Sequence, residues 1–118
     1  MSIVILNLPY PPTVNTYYRH TGGRTLLSRR GRAYREAVGG CVLLQAPRQR
    51  LNGDLSIMIR LQPPDRRRRD IDNTLKAVLD SLQHAGLYDD DSQIVALRVY
   101  RDPPVQCGAA QVILANYP

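Results

Sequence analysis

The sequence predicts a single-domain α+β protein in which a mixed β-sheet is backed by two main helices. The chain has 118 residues, which suits one hydrophobic core and is too short for two cores of ordinary size. Apolar residues make up 43% of the chain, so such a core is feasible. Segments with strand periodicity alternate with two segments of helical periodicity, and no internal repeat divides them. We therefore expect residues 1–118 to form one domain.

The N-terminal half predicts a strand, a long loop and a helix. Residues 2–8 are aliphatic and β-branched and end at prolines, which cannot continue a hydrogen-bonded ladder. Residues 9–27 mix prolines, tyrosines and arginines, and we expect them to form a loop. Ser28 is a favourable N-cap, and apolar residues then recur at helical spacing until Pro47 ends the pattern.

The C-terminal half predicts a strand, a second helix and two more strands. Residues 55–61 alternate between apolar and polar side chains, as a half-buried strand does. From Ile71 the apolar residues form one helical stripe, which Gly86 can close. Residues 93–101 and 109–115 complete the strands. The order of elements fits a mixed sheet with helices packed against it.

The charge balance favours a polyanion as the binding partner. Arg and Lys together number 16 against 10 Asp and Glu, which gives a net charge of +6. Fifteen of these cations are arginines, whose planar guanidinium matches phosphate in a bidentate geometry. A basic surface that serves solubility alone would have the same composition, so charge by itself does not assign a function.

The cysteines and the apolar segments exclude several classes of protein. Cys41 and Cys107 have neither the spacing nor the neighbouring histidines of a zinc site. A secreted domain of this size usually has more disulfides, and the N-terminus does not resemble a signal peptide, so we expect the cytoplasm. The longest apolar stretches are far shorter than the ~20 residues of a membrane span.

Two acidic groups are the clearest candidates for chemistry. Asp70 and Asp72 follow four consecutive arginines, residues 66–69, at the start of the second predicted helix. Carboxylates are favoured there by the helix dipole, and Asp70 is well placed to be an N-cap, so a purely structural role is possible. Residues 89–91 are three adjacent aspartates, which form either a solvated turn or part of a metal site. Oxygen ligands without His or Cys suit Mg²⁺ or Mn²⁺.

Lys76 is the only lysine of the chain. It follows Asp72 by four residues, so the two side chains would share one helical face and could form an ordinary salt bridge. The alternative is a cation that contacts the scissile phosphate and stabilises the charge that develops in phosphoryl transfer. Its isolation in an arginine-rich chain favours the functional interpretation.

Taken together, these motifs resemble the RusA family of Holliday-junction resolvases. The resemblance covers most of residues 5–100. It comprises the Asp-Arg-rich-Asp-x-Asp-Asn block and the segments around it: 65–73, Lys76, Asp80, 85–86, 90–91, 8–12, Asn15, 17–20, 24–25 and 33–35.

The resemblance implies a homodimer that binds four-way DNA junctions and cuts two strands symmetrically. Mg²⁺, or Mn²⁺, would be held by Asp70, Asp72 and Asp91 with assistance from Lys76, and no organic cofactor is implied. Because three aspartates are adjacent, the choice of Asp91 over Asp90 stays open. The expected DNA contacts are Arg66, Arg67, Arg68, Arg69, Tyr17, Tyr18, Arg19 and Arg24.

Two alternatives remain at the level of sequence. The first is a non-catalytic basic module that binds nucleic acid, in which the aspartates only cap helices. Clustered carboxylates argue against it because they repel phosphate. The second is a nuclease that acts on other branched, flapped or single-stranded DNA, which the sequence barely distinguishes from a junction resolvase.

Overall fold

The computed structural model describes residues 2–118, which contain six strands, three α-helices and one 3₁₀ helix. Their bounds are β1 (Ile3–Leu8), α1 (Val14–Tyr17), β2 (Tyr18–Thr21), β3 (Arg24–Leu27), α2 (Arg29–Gln45), β4 (Leu55–Gln62), α3 (Leu75–His84), the 3₁₀ helix (Asp91–Gln93), β5 (Ile94–Arg101) and β6 (Ala109–Asn116). No helix in this part of the chain is long and apolar enough to cross a membrane.

The strands form a four-stranded sheet and a separate hairpin. The order in the sheet is β1-β6-β4-β5, with β4 and β5 parallel and the other neighbours antiparallel. The predicted mixed sheet with two main helices is therefore confirmed. Alternate residues of β4 are buried, as its period of two predicts, so one face of the sheet adjoins the core.

The core lies between that face and the helices. One fully buried side chain from each of five elements illustrates it: Leu6 of β1, Val38 of α2, Ile59 of β4, Leu82 of α3 and Leu114 of β6. Burying an aliphatic side chain of this kind stabilises a fold by about 1.5–3 kcal/mol. The opposite face of the sheet is open at β1, where alternate isoleucines are largely exposed.

The prediction of a loop over residues 9–27 is wrong. This segment contains α1 and the hairpin of β2 and β3, in which Thr21 pairs with Arg24. Gly22 and Gly23 have φ of +55° and +73°, and a tight hairpin turn requires such positive values at both central residues. The paired glycines were the available signal, and the polar and aromatic composition around them obscured it.

The predicted start of the second helix is also wrong. α3 begins at Leu75, and residues 71–74 form turns instead of the first helical turn. Asp70 does not cap the helix; its backbone oxygen accepts from the N–H of Asn73 at 3.3 Å. The carbonyl of Asn73 accepts from the N–H of Val14 at 2.8 Å, so a tertiary contact holds this segment outside the helix. Ile71 is accordingly exposed.

Candidate active site

The turn before α3, residues 71–74 together with Asp70, presents two free carboxylates. Asp70 and Asp72 are both exposed, and across residues 2–118 neither side chain has a hydrogen bond or ion pair with another protein group. The backbone bond between Val14 and Asn73 attaches this segment to α1. The carboxylates are therefore carried by an anchored turn and remain free to bind a ligand.

The structure gives the three adjacent aspartates different roles. The carboxylate of Asp89 forms an ion pair with Arg50. Asp90 caps the 3₁₀ helix by accepting from the N–H of Ser92 at 2.9 Å, and this hydrogen bond holds the pKa of Asp90 below its usual value. The side chain of Gln93 completes the capping box. Asp89 and Asp90 thus have local structural partners.

Asp91 is the member of this group with an unsatisfied oxygen. Its Oδ1 is buried and has no hydrogen-bond partner among residues 2–118, while its Oδ2 lies 3.6 Å from Nζ of Lys76. The hydroxyl of Tyr88 lies within hydrogen-bonding reach of this carboxylate, but its single proton is donated to the carbonyl of Leu79 at 2.6 Å. The backbone N–H of Asp91 donates to Oε1 of Gln83 at 3.0 Å. A buried carboxylate oxygen without a donor is costly and is a natural ligand for a cation.

Lys76 joins α3 to this acidic segment. Its side chain is half exposed and pairs with Asp91, not with Asp72 as the i,i+4 interpretation predicted. The departure follows from the late start of α3, because Asp72 lies outside the helix and does not share a helical face with Lys76. The pair brings the half-exposed ammonium group beside Oδ2 of Asp91.

A polar cluster supports α3 one turn beyond Lys76. The carboxylate of Asp80 accepts hydrogen bonds from the hydroxyl of Tyr17 and from Arg35, whose Nη2 lies 2.7 Å away. Burial works to raise the pKa of Asp80, but these hydrogen bonds outweigh it and lower the pKa. Burial also raises the pKa of Tyr17 to about 12. The prediction that Tyr17 contacts DNA is wrong, because its side chain is fully buried in this cluster.

The remaining predicted contacts on the hairpin differ in exposure. Arg19 and Arg24 are exposed on β2 and β3. Tyr18 is half buried, and its ring meets that of Tyr17 edge-on at 4.9 Å. The two arginines are therefore accessible to a polyanion, whereas Tyr18 is partly committed to packing.

The four consecutive arginines divide into two pairs. Arg69 is held by Oδ1 of Asp65 at 2.7 Å, and Arg67 lies 3.3 Å from the other oxygen of the same carboxylate. The hydrogen bond from Arg69 is the main reason that the pKa of Asp65 falls to about 2. Arg66 and Arg68 are exposed and have no ion-pair partner in the described part of the chain.

Two clefts flank this arginine segment. The first, of about 510 Å³, is lined by residues 65–69 and by 101–104. The second, of about 500 Å³, lies between Tyr10 and the turn that carries Asp70, and Arg68 and Arg69 line both clefts. We refer to the second as the tyrosine cleft. A carboxylate that is free to bind a cation thus opens directly into a basic cleft.

The structure does not bring the three predicted metal ligands, Asp70, Asp72 and Asp91, together into one group. Among residues 2–118 no three His, Cys, Asp or Glu side chains are close enough together to hold one. The donor set nevertheless fits a hard divalent cation, since the free carboxylates supply oxygen ligands and Oδ1 of Asp91 lacks a donor.

Sequence reasoning missed three residues around this site. Gln83 lies seven residues after Lys76 on α3, so helical spacing could have identified it. Thr74 has a buried hydroxyl without a partner, and Nη1 of Arg101 donates to the backbone oxygen of Arg69 at 2.8 Å. The contact of Arg101 spans the fold, and no local pattern reveals it.

A free carboxylate beside two basic clefts is typical of a protein that acts on a polyanion, and comparison with known proteins identifies the family. Residues 9–112 match the family described as endodeoxyribonuclease RusA. The crossover junction endodeoxyribonucleases RusA of Escherichia coli K12 and of Shigella sonnei, and that of Enterobacteria phage 82, are each 40% identical over 116 residues, which cover 98% of this chain and 97% of each relative. This chain belongs to the RusA family of endodeoxyribonucleases, as its sequence motifs predicted.

Proposed function

We propose that this protein is a crossover junction endodeoxyribonuclease that uses Mg²⁺, or Mn²⁺, to cut four-way DNA in the cytoplasm. Family membership over nearly the whole chain supports the reaction class and the substrate. The observation that carries the proposed chemistry is the unsatisfied buried oxygen of Asp91 beside Lys76.

The proposed metal ligands are Asp70, Asp72 and Asp91. The first two lie on a turn outside the helix, and their side chains have no competing partner in the part of the chain that the structure describes. Asp91 is favoured over its two neighbours because Asp89 pairs with an arginine and Asp90 caps the 3₁₀ helix. When bound, the metal would lower the pKa of a coordinated water and neutralise charge on the phosphate.

Lys76 contributes a charge that the metal ligands lack. Its ammonium group lies beside Asp91, where a phosphate oxygen would meet it at the edge of the site. A cation in that place stabilises the negative charge that grows on the phosphate in the transition state. Gln83 fixes the backbone of Asp91 and so orients its carboxylate.

The exposed basic residues can contact DNA phosphates whatever the base sequence of the DNA. Arg66 and Arg68 of the arginine segment and Arg19 and Arg24 of the hairpin are exposed, which suits them to bind phosphate. A homodimer would place two such sites around a two-fold axis, so that two symmetric nicks follow from geometry. The isoleucines that are exposed on the open face of the sheet offer apolar surface for such an assembly.

The test is cleavage of a labelled synthetic four-way junction with and without Mg²⁺, beside a linear duplex and a flapped duplex of the same sequence. Paired symmetric nicks confined to the junction are expected. Junction binding without nicks in either Mg²⁺ or Mn²⁺ would indicate a non-catalytic binding module. Equal cleavage of the flap would indicate a nuclease of broader specificity.

A further inference from the structure

The tyrosine cleft has the features of a binding site for a flat, polar ring. Its volume of about 500 Å³ lies in the range of small-ligand sites, and it adjoins the proposed metal ligand Asp70. Its walls combine an aromatic ring, guanidinium groups and hydrogen-bonding side chains. Phosphate binding by the arginine segment explains the basic residues of the cleft, but it gives no role to the aromatic and neutral polar residues that also line it.

Tyr10 is held rigidly at one side of this cleft. A Cβ atom added to Gly108 would lie 2.8 Å from Cβ of Tyr10 and 3.1 Å from Pro64, so the backbone packs closely behind the tyrosine. The guanidinium of Arg69 lies 5.9 Å from the centre of the ring, and Arg69 is itself fixed by Asp65. An aromatic ring held in this way can stack on a base without losing further conformational entropy on binding.

Two other lining residues of the cleft have free hydrogen-bonding capacity. The hydroxyl of Thr74, a residue that lines the cleft, is buried and has no hydrogen-bond partner in the described part of the chain. Asn73 forms its hydrogen bond with Val14 through its backbone carbonyl. Its side chain, which lines the cleft, has no hydrogen bond to another group in residues 2–118. An amide supplies both a donor and an acceptor, the pair of groups that reads the edge of a nucleobase.

We propose that the tyrosine cleft receives a nucleobase next to the scissile phosphate, stacked on Tyr10 and read at its edge by Asn73 and Thr74. This inference rests on the proposed function, and in it Tyr10 holds the base against Asn73 and Thr74, which determine the sequence preferred at the cut. Asp70 lines the cleft, so the phosphate attached to such a base would lie beside this proposed metal ligand. Stacking supplies affinity for the base, and the polar wall supplies discrimination.

The variants are chosen to separate stacking from packing. Tyr10→Leu removes the aromatic face and keeps an apolar side chain, whereas Tyr10→Phe keeps the ring. Tyr100→Leu is the matched control, because Tyr100 lies on the open face of the sheet beneath another arginine, Arg60, at 4.4 Å. Thr74→Val removes the unpaired hydroxyl at nearly constant volume.

The first measurement is the fluorescence of 2-aminopurine, placed in turn at each nucleotide that flanks the cut in a four-way junction bound without metal. We expect a change at one position with the wild-type protein, Tyr10→Phe and Tyr100→Leu, and its loss with Tyr10→Leu. This readout does not require cleavage. If the signal changes but the junction is never cut, the proposed function fails and the stacking site stands.

The second measurement is the cleavage rate over junctions that carry every dinucleotide at the cut. Tyr10→Leu should reduce the ratio between the best and worst sequences by about tenfold, in line with the usual contribution of base stacking. Thr74→Val should change which sequence is preferred and leave the fluorescence change intact. A full preference and an unchanged fluorescence response in Tyr10→Leu would overturn the inference, as would the absence of a response at every position.

Discussion

The division of the arginine segment can be tested through the salt dependence of DNA binding. Arg68 is exposed and unpaired, so we expect it to contact phosphate and to release about one counterion on binding. Arg68→Ala should then lower the slope of log K against log salt by about 0.9. Between about 50 and 200 mM salt, the variant should lose roughly 3.5-fold less affinity than the wild type.

Arg69→Ala is the matched control for this prediction. The guanidinium of Arg69 donates to Asp65 and to the backbone oxygens of Asp65 and Arg67, which leaves its side chain only 24% exposed. Its replacement should destabilise the segment without changing the slope. The assay is fluorescence anisotropy of a labelled junction, titrated in EDTA over a series of KCl concentrations. Equal slope changes in both variants, or none in Arg68→Ala, would refute the assignment.

Three further predictions concern the acidic site and its support. Asp91→Asn should abolish metal-dependent cleavage and leave junction binding intact or stronger in a gel shift. Asp90→Asn should remain active and have a lower Tm, because it removes the cap of the 3₁₀ helix. The reverse pattern would make Asp90 the ligand. Lys76→Ala should lower kcat by more than it raises the Kd for the junction, and an effect on Kd alone would reduce Lys76 to a phosphate contact. Because the pKa of Tyr17 is raised to about 12, its contribution to stability is complete below about pH 10 and is lost as the pH rises toward about 12. Tyr17→Phe should flatten that decline in urea unfolding measured across this pH range, and an unchanged decline would show that other groups cause it.

Elements that a local sequence pattern determines were predicted well, whereas elements whose bounds depend on a tertiary contact were not. β1 was predicted nearly to the residue from an aliphatic run that ends at prolines. β4 was predicted equally closely because its apolar periodicity coincides with the face that the core buries. α2 was likewise predicted from the cap at Ser28, whose side chain accepts from the N–H of Gly31. The start of α3 was not predictable in this way, since a hydrogen bond to Val14 diverts the carbonyl of Asn73.

The candidate site shows the same limit. The sequence identified the carboxylates as a group, but it could not distinguish Asp91 from Asp90. That distinction depends on which carboxylate the 3₁₀ helix uses as its cap and which packs against Tyr88. The arginines were identified as a block, and only the position of Asp65 relative to each guanidinium separates the paired from the free members.

The turn that carries Asp70 and Asp72 also determines how readily the site can rearrange. Had these residues formed the first turn of α3, any displacement of their carboxylates would have required part of a cooperative helix to unwind. Instead, two long turn bonds of 3.3 Å, to Asn73 and to Leu75, hold their carbonyls. Such bonds belong to the part of a protein that opens locally at a small fraction of its global unfolding free energy. The carboxylates can therefore adjust to a cation while α3 and the core beneath it stay folded.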